Sequence, residues 1–153
     1  MEKELDNSRS DIGIAGYLRK VLRLPETDIK SYSPLTLAFI GDSIFDLVIR
    51  TSVVESGNAP VNKLHKRCSV LVQASAQADL YHLIKDQLTE EESAIFKRGR
   101  NAKSFTSAKN AGVVEYRTAT GLEALMGYLY LTDQMDRLLE LVKPQIHKMV
   151  NNS

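Results

Sequence analysis

The segment FIGDSIFD, residues 39–46, places two aspartates four positions apart inside an otherwise apolar stretch. Nearly every other position from Leu35 to Val54 is apolar, which predicts a helix buried on most of its sides. Asp42 and Asp46 share one face of that helix, and an ionised carboxylate in apolar surroundings requires a compensating charge. A hydrated divalent cation would supply this charge, whereas for Asp42 a helix cap or a buried arginine partner is the open structural alternative.

A second apolar stretch carries one further carboxylate. Residues 116–129 read YRTATGLEALMGYL and predict another buried helix, in which Glu123 is surrounded by leucine, alanine and methionine. Two apolar helices that each carry an acid favour a shared metal site over unrelated ion pairs.

The remaining pattern predicts an all-α protein of about seven helices and no strand. Residues 1–10 are polar and predict a disordered tail, and residues 11–150 are expected to form a single domain. Ser33 and Pro34 predict the cap and first residue of the acidic helix, with Gly57 just past its end. The other predicted helices cover residues 12–24, 90–98, 116–131 and 133–150. One more helical segment begins at residue 61 and is interrupted at residues 73–78. Residues 100–113 are expected to be structureless, and Pro144 to kink or divide the last helix.

Composition indicates an ordinary globular protein. The chain has 153 residues, of which 43% are hydrophobic and 25% charged. Cys68 is the one cysteine, so no intrachain disulfide forms, and its apolar neighbours predict a buried thiol in a reducing compartment. The N-terminus lacks the pattern of a secretion signal, and no stretch nears the length of a membrane span. We therefore expect a cytoplasmic protein without a membrane segment.

The charge distribution suggests contact with nucleic acid, although the formal net charge is only +1. A run of basic residues without acids straddles a predicted helix end and a polar loop, where long cationic side chains can reach phosphates. On charge alone, a solvated basic loop is the simpler explanation. The candidate RNA-binding residues of this run are Lys97, Arg98, Arg100, Asn101 and Lys103, with Lys109 further on. A second basic cluster comprises Lys63, His65, Lys66 and Arg67.

Several motifs together resemble the nuclease domain of the ribonuclease III family. The first is GDS at residues 41–43, followed downstream by EALMG at 123–127. Three further stretches, LHK at 64–66, KRGRNAK at 97–103 and YR at 116–117, resemble the Mini-ribonuclease III branch. The resemblance runs from about Pro34 to about Lys148. It implies an all-α ribonuclease III-type fold and Mg²⁺-dependent cleavage of double-stranded RNA.

The resemblance also implies roles for individual residues. Asp42 and Glu123 would be catalytic metal ligands for Mg²⁺, with Mn²⁺ able to substitute, and hydrolysis would leave 5′-phosphate and 3′-hydroxyl ends. Asp46 and Thr120 are further candidates, acting directly or through water. The larger family members carry acids where this chain has Ala38 and Thr120, which implies a site with fewer protein ligands and more water.

Partners follow from the same resemblance. The family acts as a homodimer in which the aromatic residue before the Gly-Asp motif, here Phe39, packs across the interface. Without a double-stranded RNA-binding domain, the nuclease domain itself would hold the RNA, and a ribosomal protein remains open as a helper. The branch is associated with maturation of 23S ribosomal RNA precursor ends. The alternative from another class is a ribosome-associated, RNA-binding protein that keeps this fold but has lost catalysis.

Overall fold

The computed structural model describes residues 13–102 and 111–151, and it confirms the all-α prediction over these ranges. Seven α-helices are present there, with two short 3-10 turns at Ile29–Ser31 and Lys85–Gln87. The helices are α1 (Ile14–Leu22), α2 (Pro34–Glu55), α3 (Val61–Val72), α4 (Ala74–Ile84), α5 (Glu90–Asn101), α6 (Ala111–Leu131) and α7 (Met135–Asn151). The predicted tail, Lys103 and Lys109 lie outside the described residues.

Helix α2 begins as its sequence predicts. The Ser33 hydroxyl accepts a hydrogen bond from the Leu35 amide at 3.2 Å, and Pro34 occupies the first helical position, where no amide hydrogen is needed. After the helix, Gly57 adopts a φ of 142°, a conformation that side chains rarely allow.

Helix α6 is the centre of the fold and contacts α1, α2, α4, α5 and α7. Its fully buried side chains include Leu122, Leu125, Met126 and Leu129. Because α6 is covered by other helices on several sides, most of its residues are apolar.

Two glycines bring the backbones of α2 and α6 into direct contact. A Cβ atom on Gly41 would lie 1.7 Å from the Glu123 carbonyl oxygen, and one on Gly127 would lie 1.9 Å from the Leu37 carbonyl oxygen. No side chain fits at either position, so the two helices cross at a fixed register. This crossing places Asp42, the residue after Gly41, beside the turn of α6 that carries Glu123.

Helix α5 is longer than predicted. A capping box joins Thr89 and Glu92 at the start of α5, with bonds of 2.9 and 3.1 Å, but the helix continues through Gly99 to Asn101. A Cβ on Gly99 would lie 2.9 Å from the Cα atom of Gly121, so this glycine permits close packing of α5 on α6. The expected helix end at Arg98 is therefore wrong.

The helix pattern differs from the prediction at further points. The expected break at 73–78 is confined to Gln73, whose extended backbone (φ −64°, ψ 156°) separates α3 from α4. Helix α6 begins at Ala111, five residues before the predicted start, so residues 100–113 are not structureless throughout. Pro144 lies inside α7 and does not divide it.

Candidate active site

Asp42 and Glu123 are neighbours in the structure but lie in different environments. Asp42 is exposed at the surface of α2, so the prediction of an apolar, buried setting is wrong for this residue. Glu123 is largely enclosed. Burial and, secondarily, the negative charge of Asp42 raise the pKa of the Glu123 carboxyl to about 7.

This carboxylate pair fits a divalent cation. Enclosure and mutual repulsion disfavour two negative charges here, and a bound cation would relieve both effects. Mg²⁺ commonly takes one or two protein carboxylates and fills its remaining positions with water and substrate phosphate. Asp42 offers an open side toward solvent, through which water and a phosphate could approach.

The two further candidates have local partners. The Asp46 carboxylate lies 2.8 Å from Nε of the exposed Arg50, one turn further along α2. The Thr120 hydroxyl, one turn before Glu123, donates to the Tyr116 carbonyl at 3.0 Å. In residues 13–102 and 111–151, no three His, Cys, Asp or Glu side chains converge as a metal-binding group.

Gln77 of α4 is a site residue that the sequence reasoning missed. Its buried side chain partly offsets the rise in the pKa of the Glu123 carboxyl. The sequence pattern does contain a signal for this residue. Gln77 lies three positions before Leu80 and seven before Ile84, both buried, so it shares the inward face of α4. A polar residue at such a position requires a partner inside the protein.

The basic end of α5 lies close to the carboxylate pair, since a Cβ on Gly99 would be 3.2 Å from the Thr120 carbonyl. Lys97 and Asn101 are exposed there. Arg100 lies over the Phe96 ring, 5.8 Å from its centroid, and its Nε donates to Asn101 Oδ1 at 3.3 Å.

Arg98 has a different environment from its neighbours in this run. Its guanidinium donates to the backbone carbonyls of Lys30 and Tyr32 at 3.4 and 3.2 Å, which ties α5 to the segment leading into α2.

The second basic cluster lies elsewhere. Lys63, His65, Lys66 and Arg67 are exposed on the early turns of α3. His65 borders a groove shared with Val53 of α2, roughly 16 Å along the helix from Asp42 at 1.5 Å per residue. The structure therefore does not bring this cluster against the carboxylate pair.

Two other predicted features can be located. Cys68 is buried, as predicted, and burial raises the pKa of its thiol. The Phe39 ring, by contrast, is 78% exposed on the outer side of α2. Among the described residues, no helix is long and apolar enough to cross a membrane.

Comparison with known proteins agrees with this fold. The Ribonuclease III domain family matches residues 35–134. The Mini-ribonuclease 3 of a Thermoanaerobacter species is 48% identical over 128 residues, covering 84% of this chain and 90% of the relative. That of Enterococcus faecalis is 49% identical over 124 residues, covering 80% and 94%. The crystal structure of a Fusobacterium nucleatum protein superposes with a TM-score of 0.70 at 35% identity, covering 77% of this chain and 96% of that one.

The chain therefore belongs to the ribonuclease III family of endoribonucleases. Within that family, its similarity over most of its length is to the Mini-ribonuclease 3 proteins.

Proposed function

We propose that this endoribonuclease cuts double-stranded RNA in a Mg²⁺-dependent reaction that leaves 5′-phosphate and 3′-hydroxyl ends. One observation carries the proposal, namely the crossing at Gly41 that places Asp42 of α2 beside Glu123 of α6. Two carboxylates from separate helices, one open to solvent and one enclosed, form a suitable anchor for a hydrated cation.

Each site residue has a distinct part in this proposal. Glu123 and Asp42 would hold Mg²⁺ or Mn²⁺, and the ion, when bound, would lower the pKa of water and stabilise charge on the phosphate. Thr120 can accept a hydrogen bond from a water at the site, since its hydroxyl oxygen keeps lone pairs while donating to Tyr116. Asp46 remains a candidate for an outer contact through water, with Arg50 as its present partner.

We further propose that basic residues on α5 and α3 position the RNA backbone. Lys97, Arg100 and Asn101 lie at the end of α5 that packs beside Thr120, where they can reach phosphates next to the cleavage point. Lys103 would extend this surface. The exposed residues Lys63, His65 and Lys66 of α3 would contact the duplex further from the cleavage point, by charge and hydrogen bonding.

A homodimer is the second part of the proposal. Phe39, Leu47 and Val54 lie seven or eight positions apart, so they form an exposed apolar stripe along one face of α2. An open groove of about 140 Å³ borders the far end of this stripe. If two copies of α2 pair antiparallel about a two-fold axis, each Phe39 ring meets the partner's groove. The groove is lined by Arg50, Val53, Val54, Val61, Leu64, His65 and Cys68.

The natural substrate that we propose is the precursor of 23S ribosomal RNA, with a ribosomal protein as a possible accessory factor. Support for this substrate comes from the resemblance to the Mini-ribonuclease III branch. Cleavage of deproteinised precursor with and without large-subunit proteins would test it.

The central experiment incubates the purified chain with long double-stranded RNA in Mg²⁺, in Mn²⁺ and in EDTA. We expect cleavage with either metal and none with EDTA, and the products should carry 5′-phosphates that a phosphate-dependent exonuclease can attack. Binding of RNA without cleavage in any metal would contradict the proposal and favour the RNA-binding protein that has lost catalysis.

A further inference from the structure

Arg100 differs in its partners from the other half-buried arginines that the structure describes. Arg19 lies 2.6 Å from the Asp133 carboxylate, and Arg137 lies 2.9 Å from that of Glu92. Arg100 is half-buried as well, but no Asp or Glu of the described residues pairs with it. A charge that is partly withdrawn from water usually has a counter-ion. An anion from outside the described chain would fill that role for Arg100.

Two neutral groups hold the Arg100 guanidinium in place. Its central carbon lies over the Phe96 ring, 5.8 Å from the centroid, and its Nε donates to Asn101 Oδ1 at 3.3 Å. Neither contact cancels the positive charge. The two terminal nitrogens have no acceptor among the described residues, and together they form the fork that binds two oxygens of one phosphate or carboxylate.

The Phe96 ring is itself fixed against the helix that carries Glu123. It is fully buried and stacks on Tyr81 of α4, with 3.7 Å between the ring centroids and 9° between the ring planes. A Cβ atom on Gly121 of α6 would lie 2.7 Å from Phe96 Cε2, so the ring occupies the space of a side chain at Gly121. Gly121 lies two positions before Glu123. The ring beneath Arg100 is therefore seated on the turn of α6 that leads to the proposed metal ligand.

We infer that Phe96 and Asn101 are positioning residues, which hold the Arg100 guanidinium as a preformed binding group for a backbone phosphate of duplex RNA. This inference rests on the proposed function, because it assumes that this end of α5 faces the RNA. An arginine fork only donates hydrogen bonds, which suits phosphate oxygens. An exposed lysine such as Lys97 must lose side-chain freedom when it binds, whereas a held guanidinium has already lost much of it.

The test compares Arg100→Ala with Lys97→Ala in the full-length chain. Each variant removes one positive charge from the same end of α5, but Arg100 is held by neighbours and Lys97 is exposed. Fluorescence anisotropy measures affinity for a short RNA duplex over a range of salt concentrations in EDTA, so the result depends on neither metal nor cleavage. Melting temperatures are measured alongside. If Arg100→Ala does not fold, Arg100→Gln and Lys97→Gln replace the pair.

We expect the two variants to lose similar salt dependence but different affinity. Each should reduce the slope of log affinity against log salt by about one. Arg100→Ala should weaken binding about tenfold, and Lys97→Ala only about twofold. Arg100→Lys should keep the slope but not the affinity, because an ammonium group lacks the fork. Equal losses of affinity in Arg100→Ala and Lys97→Ala would overturn the preformed group and leave the proposed function intact.

A double-mutant cycle tests the positioning role of Asn101. Asn101→Ala alone should weaken binding roughly threefold, and it should have much less effect when Arg100 is already alanine. Phe96→Leu, which loses the aromatic face, should show the same dependence on Arg100 when it is measured below its melting temperature. Losses that are equal in both backgrounds would overturn the positioning role. Duplex binding by the wild type without cleavage in any metal would instead overturn the proposed nuclease function and leave this inference standing.

Discussion

The two faces of helix α2 are built from similar residues but have different surroundings. The inner face packs Gly41, Phe45 and Ile49 against the rest of the protein, with the Gly41 backbone touching α6. The outer face leaves Phe39 and Leu47 in solvent. The inner face thus fixes the carboxylate pair within one chain, whereas the outer face leaves apolar side chains exposed, the surface that we propose a second copy covers. Apolarity alone does not distinguish these two roles, but substitutions on each face do.

Gly41→Ala should have the largest effect, because it breaks the inner face. The new methyl group would overlap the Glu123 carbonyl oxygen, and neither helix backbone can move without disturbing the core. We expect a loss of about 5 kcal/mol in the free energy of unfolding, beyond the usual cost of overpacking. Urea denaturation measures it. The control is Gly112→Ala, which lies on α6, the helix that Gly41 contacts. A Cβ at Gly112 meets no atom within 4 Å, so alanine there should slightly stabilise the helix.

Phe39→Ala tests the outer face. The ring is 78% exposed in the single chain, so its removal should leave monomer stability unchanged. If the ring is fully buried in the dimer, its loss should weaken dimerisation by roughly 3 to 5 kcal/mol. Sedimentation equilibrium measures this, with Tyr17→Ala on α1 as a control that removes another exposed aromatic ring. A wild-type chain that is active as a monomer would refute the proposed role of this face.

Asp42→Asn and Glu123→Gln test the chemistry at the crossing. Each variant keeps the shape of the side chain and removes a charge that the cation requires. We expect single-turnover cleavage to fall at least ~100-fold, since a catalytic metal contributes several kcal/mol to transition-state stabilisation. RNA binding should be largely retained, and Asp136→Asn on α7 should cleave normally. Wild-type rates in either site variant would remove that residue from the metal site.

The pKa of Glu123 predicts that the stability of the metal-free protein depends on pH. This pKa rises from an ordinary 4.5 to about 7 on folding, so the folded protein retains a proton that the unfolded chain releases. Stability should therefore fall as pH increases from 4.5 to 7, by on the order of 2 kcal/mol. Urea denaturation in EDTA at pH 5 and pH 7.5 should show the loss in wild type relative to Glu123→Gln. Parallel behaviour of the two proteins would show that Glu123 titrates normally.

The smallest effect is expected outside both faces of α2. Replacing Lys97 and Arg100 with alanine should weaken binding to many duplex sequences and reduce the slope of log affinity against log salt by about one per lost contact. Cleavage at saturating RNA should change less, because the carboxylates lie on other helices. Lys143→Ala on α7 serves as a control for loss of one positive charge. A collapse of single-turnover cleavage with unchanged binding would show that this end of α5 orders the active site.

Local signals account for the parts of the structure that could be predicted. Ser33 with Pro34, and Thr89 with Glu92, act through atoms a few residues apart, so the starts of α2 and α5 follow from short motifs. The pairing of Asp42 with Glu123 was predicted from the resemblance, and the structure shows the two to be neighbours.

Contacts between distant segments account for the errors. Gly99 follows a run of helix-forming residues and carries the signature of a helix end, but its contact with Gly121 keeps it inside α5. Gln77 could be recognised as a polar residue on an inward face, yet Glu123, whose pKa it affects, lies more than forty residues later in the chain. The exposure of Asp42 likewise depends on how α2 is oriented against α6, which periodicity does not determine.

The contact between Gly41 and the Glu123 backbone also has a consequence for biosynthesis. The two segments lie about eighty positions apart, and contacts of such long range form late because a large loop must close first. A nascent chain that has released α2 but not α6 from the ribosome carries one of the two carboxylates and lacks the backbone that Gly41 packs against. In the proposed mechanism, nuclease activity can therefore begin only after α6 has emerged, when most of the polypeptide has already left the ribosome that made it.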